Sequence, residues 1–127
     1  MTTNQAQAGI WGPMSATDDV LTEIAAERLR QDAKWGEQNH PDGTGEETLR
    51  RYLIAAANGH PAREAKDMNE FAVQHNSLTW ALILLEEVLE ALVERDPEGL
   101  REELIQVGAV AAAWAEAIDR RAKGGTK

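Results

Sequence analysis

Residues 80–106 read WALILLEEVLEALVERDPEGLREELIQ, and the punctuation of this stretch decides the fold. From Trp80 to Val93 no glycine, proline or basic residue interrupts a run of leucine, alanine, valine and glutamate, the composition of a helix interior. Asp96-Pro97 then opens a new helix: the aspartate can accept from free N–H groups of the first turn, and proline at the first helical position forfeits no hydrogen bond. Helices joined this tightly run antiparallel. The spacing predicts helix three from near Asp67 or Asn69 to Arg95 and helix four from Pro97 to about Ala122. Asn76-Ser77 is either a break in helix three or its true N-cap.

Upstream, Ser15 or Thr17 can cap a first helix in which Val20, Leu21, Ile24, Ala25 and Leu29 recur with helical spacing to about Ala33. Lys34 to Gly45, KWGEQNHPDGTG, reads as a long polar loop with a turn at Pro41-Asp42-Gly43. Glu46 to Asn58 returns to helical composition and stops at Gly59 and Pro61. Residues 1–14, Trp11 included, read as a flexible arm and 123–127 as a flexible tail. The expectation is one all-α domain over 15–122, a four-helix bundle.

Composition narrows the function classes. A chain of 127 residues with 43% hydrophobic content suits one core and one site. Its formal charge of -9 would repel a nucleic-acid backbone, so no duplex nucleic acid is expected as a partner. The absence of cysteine removes disulfides, thiolate metal sites and cysteine nucleophiles. No signal peptide and no membrane span is read, so cytoplasmic residence is expected.

Around helix three, Glu86, Glu87, Glu90 and Glu94 fall within an arc of roughly 100°. The opposite arc, Leu78, Ala81, Leu82, Leu85, Val88, Leu89 and Leu92, reads as the core stripe. Two readings stay open for the acidic side, a solvated face or a cation site. No Lys or Arg lies between Asn69 and Glu94, so the glutamates one turn apart repel without basic partners on their own helix. Trp80, Ile83 and Leu84 make the same side apolar upstream, as at a cleft.

On helix four, Leu100, Leu104, Val107, Ala111, Trp114 and Ile118 form one narrow arc, the expected packing seam. Glu103 lies beside it, and Gln106 shares a flank with Val110, Ala113 and Ala117. Antiparallel packing would bring Glu103 and Gln106 toward Glu87 and Glu90. Oxygen ligands from facing helices suit magnesium. His40, His60 and His75 show no zinc-type spacing.

These residues resemble a family, the all-α nucleoside triphosphate pyrophosphohydrolases, especially the small MazG-like proteins of actinobacteria and their phages. The family signature is EExxE, a gap, then ExxD. Glu86-Glu87-Val88-Leu89-Glu90 matches the first half, and Glu103-Leu104-Ile105-Gln106 matches the second except at its last position. The segments Glu27 to Gly45 and Glu103 to Arg121 are also similar to the N- and C-terminal parts of those small proteins.

The resemblance implies a helical bundle, a homodimer or homotetramer, that holds Mg2+, or Mn2+ in its place, against a nucleoside triphosphate and hydrolyses it to monophosphate and pyrophosphate. Carried over residue by residue, Glu87 and Glu90 would be metal ligands from helix three and Glu103 from helix four. Glu86 would bind metal or orient the attacking water, and Glu86 and Glu87 form the catalytic pair. Gln106 replaces an aspartate with a neutral oxygen ligand, which leaves open a catalytically weakened bundle that binds nucleotide, metal or protein. An acidic adaptor without metal is a third reading. Lys34 and Trp35 offer a cation for phosphate and a ring for a base, against the alternative of a surface lysine and a tryptophan closing the bundle end.

Overall fold

The computed structural model describes residues 15–57 and 59–124; the arm expected over 1–14, with Trp11, and residues 125–127 of the expected tail lie outside them. Five helices make up the fold: α1 (Ala16–Trp35), α2 (Glu46–Ala56), α3 (Pro61–Gln74), α4 (Trp80–Val93) and α5 (Pro97–Gly124). No strand occurs among the described residues. The start of α1 follows its capping chemistry, with Ser15 Oγ accepting from the Asp18 N–H at 3.0 Å and Asp18 accepting in return from the Ser15 N–H at 3.1 Å.

Where one helix was expected from Asp67 or Asn69 to Arg95, there are two. Asn76 adopts φ 57°, a left-handed conformation that a continuing helix cannot contain. The chain restarts at Thr79, whose hydroxyl accepts from the Leu82 N–H at 3.2 Å. Four helices therefore become five. The expected loop from Lys34 is also shorter, because Lys34 and Trp35 form the last turn of α1. Helix two stops at Ala56, and α5 runs on through Lys123 and Gly124.

Neighbouring helices in space follow the order α2, α3, α4, α5, α1. The antiparallel α4–α5 pair is the floor, with α1 packed on α5 and α3 on α4 as two walls. Asp96 starts α5 as expected, its carboxylate accepting from the Gly99 N–H at 2.9 Å. Close approach of α1 to α5 depends on Gly108, where an added Cβ would lie 2.8 Å from Ile24 Cδ1.

The expected α5 seam is corrected, and the expected α4 stripe holds at Leu82 but not at Leu92. On α5 the buried residues are Ile105, Ala109, Val110, Ala113 and Ala117, whereas Leu104 is 53% exposed and Ile118 is also exposed. On α4, Trp80, Leu82 and Ala91 are buried and Leu92 is 74% exposed. The α1 stripe is likewise outward at Leu21 and Leu29, with Ile24 half-buried. Small residues explain the choice: glycine and alanine let helices approach closely, so the alanine face of α5 becomes the seam and its larger side chains stay outside.

Loop 36–45 straps this arrangement together. The carbonyls of Pro41 and Asp42 accept from the Trp80 and Ala81 N–H groups at 2.9 and 3.0 Å, satisfying donors that a helix start leaves free. Asp42 also accepts from Trp114 Nε1 at 2.7 Å and from Arg121 at 2.9 Å. Arg120 donates to the Gln38 carbonyl at 2.8 Å. Gly43 has φ 71°, and a Cβ there would lie 2.5 Å from Thr79. Gly43→Ala therefore adds backbone strain to a clash with the α4 cap and is expected to cost about 2–4 kcal/mol. Thermal unfolding measures this; a Tm within a few degrees of the parent would contradict the tight docking.

Candidate metal centre

The acidic side of α4 faces inward because Trp80 and Ile83, two turns and one turn upstream, pack against Ala113, Trp114 and Ala117 of α5. Carrying that face down the helix brings Glu86 and Glu87 to the lining of a groove of about 660 Å³. From α4 and α5 together, Glu87, Glu90 and Glu103 place one carboxylate oxygen each within 4.8 Å of one another. Three of the expected ligands thus converge, and all three are half-buried.

Their electrostatics are unfavourable in the absence of a cation. Burial pushes the Glu87 carboxyl up to about 7, and the charges of Glu90, Glu103, Glu86 and Glu27 add to the effect. Glu90 is likewise pushed up to about 7, by burial first and then by its hydrogen bond and charge interaction with Glu86 and by the charge of Glu103; Lys66 on α3 opposes this. Hard oxygen donors crowded at this spacing fit a divalent cation of the magnesium or calcium kind, whose charge would remove the mutual repulsion.

The other expected residues divide. Glu86 turns to the opposite wall, where its carboxylate accepts from Asn69 Nδ2. Glu94 leaves the acidic group, since its carboxylate accepts from the Asp96 N–H in the α4–α5 turn at 3.1 Å. Gln106 lines the groove beside Glu27. Lys34 and Trp35 line its rim, the Lys34 ammonium lying 4.6 Å from the Trp35 ring centroid and the ring itself 58% exposed. Trp114 stacks on Trp80, and His40 meets the Trp80 ring edge-on at 5.0 Å, so both belong to the packing beneath the groove.

Sequence reasoning missed Glu27 and Gln31 and left Arg30 unassigned on α1, and missed Asn69 on α3; all four line the groove. A signal for the first three was present: with Lys34, positions 27, 30, 31 and 34 have the i, i+3, i+4, i+7 spacing of one helix face. Asn69 carried none, because its partner Glu86 lies on another helix. Arg28, also on α1, is an ion-pair residue bound to Asp32 at 2.9 Å and Glu116 at 2.6 Å.

No protein-family model, curated protein or solved structure matches the chain. No helix among the described residues is long and apolar enough to cross a membrane.

Proposed function

We propose that this chain is a magnesium-dependent nucleoside triphosphate pyrophosphohydrolase of the MazG-like kind, acting in the cytoplasm. The convergence of Glu87, Glu90 and Glu103 from two antiparallel helices, with Glu87 reaching the lining of the groove, carries the reading. Magnesium bound there, or manganese in its place, would cancel phosphate charge and hold the attacking water. Glu86, beside the trio and oriented by Asn69, accepts the proton that the water loses. At the other end of the groove, Lys34 offers positive charge to the phosphates and Trp35 a face for the base.

Gln106 supports a second reading, a bundle that binds nucleotide and metal but turns over weakly, because the amide supplies an oxygen without charge. The two are separated by incubating the protein with nucleoside triphosphates and magnesium and following pyrophosphate and monophosphate. Release abolished by chelation is the expected result. No release, with a thermal shift by nucleotide plus magnesium, selects the binding module; neither release nor shift removes both.

The outward apolar side chains, Leu21 and Leu29 on α1, Leu92 on α4, and Leu104 and Ile118 on α5, favour a homodimer or homotetramer. Sedimentation of a monomer at micromolar concentration would count against this.

A further inference from the structure

Glu27 turns inward from α1, its side chain 13% exposed. It lines both the main groove and an adjoining cavity of about 370 Å³, and Gln106 lines the same two. Glu86 and Glu87 lie on the groove side of this pair and Glu103 on the other. Burial opposes a charge on Glu27, yet the Gln106 amide and Arg30 outweigh it and hold the carboxyl below its usual range. Arg30 meets Glu27 at Oε1, with Nε at 2.8 Å and a terminal nitrogen at 2.7 Å, and gives no hydrogen bond to Oε2.

A second, independent observation comes from the opposite wall. Asn69 is 7% exposed and lines the same groove. Its amide nitrogen donates to two acceptors, the Leu82 carbonyl and the Glu86 carboxylate, which fixes the orientation of the amide. Its Oδ1 is buried without a partner. Native structures rarely leave such an acceptor empty, and one held against Glu86 at the carboxylate end of the groove calls for a bound donor. A hydrated divalent cation brings such donors with it.

We propose that Glu27 is a cation-holding carboxylate: with Glu87 and Gln106 it takes a divalent cation on the groove side of the Glu87–Glu90–Glu103 trio, with Asn69 Oδ1 accepting from the cation's hydration shell. The inference rests on the magnesium reading of the site. α1 then restores the negative charge that Gln106 lacks, and Arg30 is the counter-ion that neutralises Glu27 when no cation is bound. The Gln106 amide oxygen remains a usable ligand, as neutral carbonyl oxygens are for hard cations.

The test is Mn2+ binding, followed by the paramagnetic resonance signal of free Mn2+ on protein whose helicity and Tm are checked in parallel. Glu27→Gln is expected to weaken Mn2+ binding by about 10–100-fold. Adding Gln106→Asp to Glu27→Gln moves the charge across the site and is expected to restore affinity to within about 3-fold of the parent, one tenfold step being 1.4 kcal/mol. Arg30→Gln, which breaks the same ion pair but keeps the carboxylate, is expected to leave binding unchanged or tighter. If the parent binds Mn2+ and Glu27→Gln binds it equally, or the double variant shows no recovery, this inference falls and the magnesium reading stands. If the folded parent binds no Mn2+ at millimolar concentration, both fall.

Discussion

Replacing Glu87 with glutamine is expected to abolish magnesium-dependent pyrophosphate release while making the metal-free protein more stable. The first effect follows from removing one of three converging carboxylates; a loss on the order of 10³-fold is the scale for deleting a preorganised charge-stabilising group. The second follows from the same geometry. A carboxyl whose folded pKa is raised from 4.5 to about 7 contributes its full stability below about pH 4.5 and loses it as pH rises through 7. At pH 8 the ionised Glu87 therefore strains the fold, by about 1–2 kcal/mol after allowing for solvent around a half-buried group. A neutral isostere removes that strain.

The same argument applies to Glu90, and because the charge of Glu90 is part of what raises Glu87, their contributions do not add. Metal-free Tm should fall between pH 5 and pH 8 as Glu87 and Glu90 ionise, magnesium should recover the loss, and Glu87→Gln should flatten the profile. Glu87→Ala and Glu90→Ala should lose turnover equally. Unchanged turnover in either variant, or a glutamine variant that melts lower than the parent at pH 8 without metal, would remove the carboxylate trio from the site.

Trp80→Ala is expected to cost about 3–5 kcal/mol, the range for emptying a buried aromatic position. Trp80 is 2% exposed and opens α4 directly above the alanine face of α5. It stacks on Trp114 at 6.5 Å between centroids, meets His40 edge-on, and through its backbone N–H holds the strap at Pro41. Its indole Nε1 is buried without a partner. Trp80→Phe therefore loses ring area but no hydrogen bond, and should cost less than half as much. Denaturant unfolding of the two variants checks this; an alanine variant within about 1 kcal/mol of the parent would mean that α4 is seated by something other than this ring.

The contrast between Glu87 and Trp80 bears on what the sequence made legible. The α4–α5 hairpin and the convergence of Glu87, Glu90 and Glu103 could be read in advance because caps, helical spacing and a short turn are local chemistry. The orientation of the helices could not. Both α4 and α5 carry two apolar faces, and periodicity gives no weight to the advantage of Gly108, Ala109, Ala113 and Ala117 in close approach. The break after α3 was legible only as an alternative, since Asn76 and Thr79 signal an end and a start but a leucine-rich run follows directly. Glu27 and Asn69 reach the site from elements far away in sequence, and only the packing of α1 on α5 and α3 on α4 brings them there.

That packing order also sets how the protein opens. α2 has α3 as its principal neighbour, buries Ala56, and leaves Leu49, Leu53 and Ile54 at least half exposed. It is the helix with the smallest local free energy of opening, whereas α5, held by α1, α4 and the strap, approaches the global value. Amide hydrogens of α2 will exchange through local fraying and those of α5 through whole-molecule unfolding, so the molecule comes apart from its second helix toward its last.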